Sequence, residues 1–291
     1  MTSPALNMAS HVFKSDQAAT AVLDRYREYL RHWLVPSEQR FVPTREGETF
    51  VISCGPRDAP PLVLLHGTMG NAAMWLREVV AWASEFRVHA IDIIGEAGLS
   101  APSRPPLASA AHALWLSDVL DGLALPKAAI VGISMGGGLA LDFAIRVPER
   151  VASLVLLSPA RIADRSIVGW ALPLLLLGTW GARKVRERIV GRIPQATTAE
   201  ARQFAEFTDS IFKGMKPRTA GAPAVTDEQL SRLSMPTLVL VGTEDVTMDA
   251  PRIKHRIEQH VRGAEVRLFP DTRHYLGDQS HVIAEFLRKT V

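Results

Sequence analysis

The chain has 291 residues, of which 47% are hydrophobic and 22% are charged, and its formal net charge is +3. This is the composition of a globular protein with ample length for a large core, organised as one domain or as one domain with an insertion. The small net charge excludes a broad nucleic-acid surface, and the basic cluster at 183–188 is interpreted as a solvated helix face.

A reducing, cytoplasmic compartment is expected from the cysteine content, because Cys54 is alone and excludes an intrachain disulfide. Residues 1–16 lack a basic stretch followed by an apolar one, so no signal peptide is predicted. The most apolar segment, 167–180, is too short to span a bilayer and contains Pro173, so a buried or pocket-lining helix is expected there.

The first predicted element is an amphipathic helix over 15–33, which begins at a Ser-Asp pair. It belongs to an N-terminal extension, 1–47, that lies outside the expected core. The helix can pack on the domain or on a second subunit, and the second arrangement would give a homodimer.

Short apolar runs then alternate with helical segments. The runs that predict strands are 49–55, 61–67, 87–93, 127–134, 151–159, 236–242 and 265–269. Such alternation is typical of a mostly parallel, doubly wound α/β sheet with helices on both faces. It stops between 162 and 234, which is helical, so we predict a core of 48–161 and 235–291 interrupted by a helical cap, 162–234.

One serine in the chain follows a predicted buried strand and opens a predicted helix. In VGISMGGG (131–138), Ser134 has a glycine two residues away on each side. A sharp strand-to-helix turn exposes such a serine, and Gly132 and Gly136 remove the Cβ atoms that would clash across it. The alternatives are a glycine-rich structural turn and a nucleotide loop, but GxGxxG and the phosphate-loop pattern are both absent.

A serine nucleophile needs a base and an acid that orients the base. His274, after the last strand, is the predicted base, with His281 as a substitute. Asp245, just beyond the preceding strand, is the predicted acid, with Glu244 and Asp249 as alternatives. The other interpretation of Asp245 is a turn-forming aspartate, because acids are common in such loops. Because these side chains follow parallel strands, they are expected to meet Ser134 at one edge of the sheet.

An oxyanion site needs two backbone amides near the serine. Met135, at the start of the helix, is one predicted donor. The segment LLHGTMG (64–70) supplies the other, with Thr68 as the prediction and Met69 as the alternative, while His66 is expected to hold the loop. No HExxH or similar spacing occurs, so neither a metal nor another cofactor is expected.

The segments LLHGTMG, AIDIIGEAGLS, VGISMGGG, LVGTEDV and TRHYLG resemble the α/β-hydrolase superfamily over about 48–291, and are most similar to bacterial carboxylesterases of the naproxen-esterase type. The resemblance implies metal-independent ester hydrolysis by a triad and two oxyanion donors, here Ser134, Asp245, His274, Thr68 and Met135. Two features depart from the common pattern: DIIGEAGLS lacks the frequent arginine, and Arg273 stands where glycine often precedes the histidine.

An apolar cap over an apolar floor favours a small-molecule ester with a hydrophobic acyl or alcohol group. Met69 and Trp170 are the candidate substrate contacts, and the alternative is that they only seal the cap onto the sheet. Two further functions stay open. One is different chemistry on the same triad: C–C bond hydrolysis, lactone opening or acyl transfer in secondary metabolism. The other is a non-catalytic ligand receptor.

Overall fold

The computed structural model describes residues 11–191, 199–218 and 221–291. Parts of the predicted extension (1–47) and of the predicted cap (162–234) therefore lie outside the described residues. Within the described ranges, no helix is long and apolar enough to cross a membrane.

A single eight-stranded sheet forms the centre of the molecule, with the strand order β1-β2-β4-β3-β5-β6-β7-β8. Strand β2 pairs antiparallel with β1 and with β4, and every other neighbouring pair is parallel. The strands are Ser37–Thr44, Gly47–Cys54, Pro61–Leu65, Arg87–Ile91, Ala128–Ile133, Val151–Leu157, Thr237–Gly242 and Glu265–Phe269. This architecture confirms the predicted α/β class.

Strands β2 to β8 coincide with the seven predicted runs, whereas β1 was not predicted. The central strands are continuous apolar runs because helices cover both of their faces. Strand β1 reads SEQRFVPT and is exposed along most of its length. It is an edge strand whose ladder partner is β2 alone, so it can carry polar residues and Pro43 that a central strand would exclude.

Helices pack on both faces of the sheet. In the described residues they are α1 Asp16–Leu30, α2 Glu78–Trp82, α3 Ala111–Gly122, α4 Met135–Arg146, α5 Val168–Leu175, α6 Gly178–Val190, α7 Ala199–Gly214, α8 Asp227–Leu230, α9 Ala250–His260 and α10 Ser280–Thr290. Helices α5 to α8 fall within the stretch predicted as a cap. Two apolar clusters, one on each side of the sheet, bury Trp115 and Trp82, whose indole N–H groups donate to Thr49 Oγ1 and to the Ser280 carbonyl.

Helix α1 packs against its own chain. Its N-cap residue Ser15 accepts a hydrogen bond from the Ala18 amide, as the Ser-Asp start predicted. The rings of Tyr26 and Tyr29 stack on Phe207 of α7, with centroids 5.9 and 5.5 Å apart. Helix α1 therefore links the sheet to helix α7, which falls within the stretch predicted as a cap.

A fully buried carboxylate, Asp92, ties α1 to two loops at the carboxyl edge of the sheet. It accepts hydrogen bonds from the Tyr26 hydroxyl (2.8 Å), the Ala72 amide (2.8 Å) and the Leu99 amide (2.7 Å). Burial raises the pKa of Asp92 to about 6, although the three donors oppose this shift. Three separate segments are thus fixed by one side chain.

Replacing Tyr26 with Phe is expected to destabilise the protein in a pH-dependent way. With a pKa of about 6, Asp92 is charged at pH 8 and protonated at pH 5. The lost hydrogen bond is charge-assisted only at the higher pH, so the free energy of unfolding should fall by about 2 kcal/mol at pH 8 and by about 1 kcal/mol at pH 5.

The sign follows from linkage. The folded-state pKa of Asp92 lies above its unfolded value, so this group stabilises the fold at low pH and loses that contribution as the pH rises through about 4 to 6. Removing a donor to the charged form strengthens the trend. Urea unfolding at both pH values measures it. Tyr29→Phe is the control, because the Tyr29 hydroxyl has no hydrogen bond in the described part of the chain, and an equal loss in both variants would contradict the assignment.

Candidate active site

Ser134 sits on a strained turn between β5 and α4, with φ 54° and ψ −116°. This left-handed conformation is costly for a serine and persists because the neighbouring backbone enforces it. A Cβ atom on Gly136 would lie 2.3 Å from the Leu65 carbonyl oxygen, and one on Gly132 would lie 2.5 Å from the Gly136 oxygen. Both glycines are therefore required for the helix to start against the ends of β3 and β5.

The loops after β7 and β8 bring Asp245 and His274 together. The Nδ1 atom of His274 lies 2.7 Å from Asp245 Oδ2. The other carboxylate oxygen, Oδ1, accepts hydrogen bonds from the Thr247 amide (2.8 Å) and hydroxyl (2.6 Å). Burial alone would raise the pKa of Asp245, but the bonds from His274 and Thr247 outweigh it and hold the pKa below its usual value.

The turn at Ser134 and the loop at His274 meet at the end of β6. The Ser134 amide donates to the Leu157 carbonyl (2.9 Å), and the hydroxyl of the next residue, Ser158, donates to the His274 carbonyl (3.0 Å). The Ser134 hydroxyl has no hydrogen-bond partner among the described residues. Bonds between a nucleophile and its base are often long without substrate and tighten when substrate binds.

The His274 loop is also anchored on helix α6. The His274 amide donates to the Ile189 carbonyl (3.2 Å), and the Arg273 guanidinium donates to the Glu187 carbonyl (2.9 Å). These carbonyls belong to the last turn of the helix, where the Glu187 carbonyl also accepts from the C-cap Gly191 amide (3.0 Å). Arg273, which departs from the common pattern, thus caps the C-terminal end of helix α6.

The three alternative triad residues take other positions. Asp249 caps helix α9 by accepting from the Arg252 amide (3.1 Å). His281 lies in the first turn of α10. Glu244 follows β7, but the histidine is bound by the adjacent Asp245.

Two residues that line the cavity with Ser134 have free backbone amides in the described part of the chain. Among the described residues, neither the Thr68 amide nor the Met135 amide has a hydrogen-bond partner. The Met69 amide, the alternative donor, is already bonded to Glu96 Oε2 at 2.7 Å. The geometry therefore favours Thr68 over Met69 as the second amide.

His66 fixes the loop that carries Thr68. Its Nδ1 lies 2.8 Å from the Gly67 carbonyl oxygen, and its Nε2 lies 2.9 Å from the Ile93 amide. A carbonyl can only accept and an amide can only donate, so Nδ1 carries the proton and the ring is neutral. Burial lowers the pKa of His66 to about 4, which agrees with a neutral ring.

Glu96 is a site residue that the sequence did not reveal. Its buried carboxylate accepts from the Met69 amide through Oε2 and from Arg218 Nε (2.7 Å) through Oε1. Burial raises the pKa of Glu96, and the Arg218 charge opposes this shift. The signal was an acid inside the otherwise apolar stretch IIGEAGL (93–99), but its partner lies 122 positions further along the chain.

A cavity of about 200 Å³ opens beside Ser134, and Thr68, Met135 and Leu139 are among its walls. Met69 does not line this cavity in the described structure; it is partly buried against the core. Trp170 does not line it either, and its ring lies 4.6 Å from the Arg188 guanidinium carbon. The predicted substrate contacts of both side chains therefore stay predictions.

The described residues include no group of three or more His, Cys, Asp or Glu side chains that could hold a metal ion. A serine on this type of turn, next to an Asp–His pair at the carboxyl edge of a mostly parallel sheet, is the arrangement of the α/β-hydrolase class. Residues 60–180 match the family described as alpha/beta hydrolase fold.

Carboxylesterase YbfK of Bacillus subtilis (strain 168) is 33% identical over 270 residues, which cover 91% of this chain and 90% of that protein. Two B. subtilis crystal structures, carboxylesterase CesB (YbfK) and naproxen esterase (carboxylesterase NP), align with TM-scores of 0.79 and 0.78. At 29% and 31% identity they cover 94% and 91% of this chain, and 98% and 95% of those chains. The chain therefore belongs to the α/β-hydrolase fold family, among its bacterial carboxylesterases, which confirms the predicted resemblance.

Thr247→Val is expected to lower kcat for 4-nitrophenyl butyrate by about tenfold with little change in KM, because Asp245 loses the hydroxyl that orients its carboxylate. Thr272→Val is the matched control, since its hydroxyl binds only the exposed Pro270 carbonyl in the neighbouring loop. Steady-state kinetics on both variants, with thermal unfolding as a check on folding, measures the effect. Equal kcat values in the two variants would contradict the role given to Thr247.

Proposed function

We propose that the protein hydrolyses carboxylic esters through an acyl-enzyme on Ser134. The observation that carries this proposal is the 2.7 Å contact between His274 Nδ1 and Asp245 Oδ2, at the sheet edge where the strained turn presents Ser134. The proposal is further supported by the relatives of the chain, which are named carboxylesterases.

In the first half of the reaction, Ser134 Oγ attacks the ester carbonyl carbon and His274 Nε2 takes the hydroxyl proton. The carbonyl oxygen becomes an oxyanion that accepts hydrogen bonds from the amides of Thr68 and Met135. The positive end of helix α4 adds to this stabilisation. The C–O bond then breaks, and His274 gives its proton to the departing alcohol.

In the second half, a water molecule gives a proton to His274 and attacks the acyl carbon. A second oxyanion forms at the same two amides and collapses to release the carboxylic acid and the Ser134 hydroxyl. His274 is cationic during each tetrahedral stage. The Asp245 carboxylate stabilises that cation, and its lowered pKa keeps it charged while it does so.

The proposed substrate is a small ester with a hydrophobic acyl or alcohol group. Support comes from the apolar wall of the cavity, to which Leu107, Met135 and Leu139 contribute, and from its volume of about 200 Å³. We also propose that 162–234 acts as a cap over a core of 48–161 and 235–291, with 1–47 as an N-terminal extension.

A cytoplasmic location is also proposed, on the support of the single, buried Cys54, which suits a reducing compartment. The homodimer stays a prediction. The N-terminal helix that suggested a second subunit packs on its own chain through Tyr26 and Tyr29.

Ser134→Ala is expected to lower kcat by about 10⁴ to 10⁶-fold, because the acyl-enzyme cannot form. Hydrolysis of nitrophenyl esters of rising acyl length measures the loss and also reports the preferred acyl group. A fluorophosphonate probe should label the wild type and the control Ser231→Ala, whose hydroxyl binds only the Asp227 carbonyl, but not Ser134→Ala. A loss below about tenfold, or persistent labelling, would refute the nucleophile.

A further inference from the structure

Two buried arginines line the cavity that opens beside Ser134. The side chains of Arg161 and Arg218 are each 9% exposed. Arginine is almost never this deeply buried unless its charge is matched, and a cavity for a purely apolar ester has no need of either group. We therefore ask whether the substrate carries a group that binds these two arginines.

Arg218 uses only part of its hydrogen-bonding capacity. Its Nε donates to Glu96 Oε1 (2.7 Å), and its Nη2 donates to the Ile94 carbonyl (3.0 Å). Its Nη1 has no hydrogen-bond partner among the described residues. Glu96 and Ile94 thus hold the guanidinium in place and leave one edge of it unused at the cavity wall.

Arg161 shows the same incomplete bonding on a strained backbone. Its φ is 75°, in the left-handed region that is unusual for arginine. Its Nε donates to the Pro223 carbonyl (3.2 Å), and its Nη1 lies 2.9 Å from Asp142 Oδ1. In the described structure neither Nη1 nor Nη2 makes a hydrogen bond of good geometry.

Each guanidinium is already paired with one buried carboxylate. Arg218 pairs with Glu96, and Arg161 pairs with Asp142, which it shares with Arg146. Asp164 also lines the cavity, but its two oxygens already accept from the Arg161 amide at 2.8 and 3.0 Å. Donors on the two guanidinium groups, rather than a surplus charge, are therefore left for a ligand.

We propose that Arg161 and Arg218 form a carboxylate subsite, and that the substrate is a hydrophobic ester bearing a second, free carboxylate. A carboxylate matches the unused guanidinium N–H groups in geometry and makes charge-assisted hydrogen bonds with them. The inference rests on the proposed ester hydrolysis at Ser134 and specifies its substrate class. The apolar walls then hold the carbon chain between the scissile ester and the distal charge.

Two sets of esters with matched carbon chains test which end-group charge the subsite prefers. Monoethyl adipate, ethyl hexanoate and ethyl 6-aminohexanoate end the acyl side in a carboxylate, a methyl group and an ammonium group. The butanoyl ester of 5-hydroxypentanoate, pentyl butanoate and 5-aminopentyl butanoate do the same on the alcohol side. In at least one set, kcat/KM for the carboxylate ester should exceed that of the neutral ester by about tenfold or more, and the ammonium ester should be poorest.

Two results would overturn the inference in different ways. If the neutral or ammonium ester is the better substrate in both sets while hydrolysis depends on Ser134, the subsite is wrong and the proposed function stands. If no ester is hydrolysed, the proposed function fails and the subsite with it. Inhibition of the wild-type protein tests the subsite without any substitution. Adipate, which has a second carboxylate, should inhibit at about tenfold lower concentration than hexanoate. Equal inhibition by the two acids would overturn the subsite.

A charge-balanced variant separates binding from folding. Arg218→Gln alone would leave Glu96 buried and unpaired, so Glu96→Gln is added to it. The ratio of kcat/KM for the carboxylate ester to that for the neutral ester should fall by about tenfold, mostly through KM. Arg288→Gln, which loses only an exposed pair with Glu85, should keep the wild-type ratio. If the double variant loses activity on all three esters alike, the arginine is structural and the proposal is refuted.

Discussion

The close approach of helix α4 to the end of strand β3 is the constraint on which the site depends. Gly136 packs so tightly that a Cβ atom there would lie 2.3 Å from the Leu65 oxygen and 2.4 Å from the His66 oxygen. This contact sets the first turn of the helix beside the loop that carries Thr68. A larger residue at 136 would push the helix away and separate the two free amides, whatever else remained intact.

Buried polar groups, rather than apolar packing, hold the loops around that contact. Asp92, His66 and Glu96 each lie beneath the loops and bind their backbone amides or carbonyls. Burying such groups is costly, and the cost is offset only when hydrogen bonds satisfy them. The raised pKa of Asp92 and the lowered pKa of His66 record that cost. These hydrogen bonds hold the loops in fixed positions at the carboxyl edge of the sheet.

Seven strands and the Asp–His contact were predictable because the information for them is local. A strand buried on both faces must be apolar along its length, and residues that follow parallel strands must meet at one edge. The polar edge strand β1 escaped detection for the complementary reason, since a strand paired on one side has no such demand.

Other features could not be read from the sequence because they depend on tertiary packing. The Glu96–Arg218 pair joins distant segments, and the sequence around either residue does not identify the other as its partner. Helical periodicity placed Trp170 on a helix but could not tell which face meets the cavity. Met69 followed the right strand, yet its amide turned toward Glu96. In each case a side-chain direction, set by neighbours far along the chain, decided the outcome.

The hydrogen bonds between the His274 loop and the last turn of α6 make the position of the base dependent on that helix. The His274 loop and the last turn of α6 share hydrogen bonds, so a displacement of this end of α6 would also shift the backbone of the base. The position of the base relative to Asp245 therefore depends on a helix that lies outside the sheet and its connecting loops.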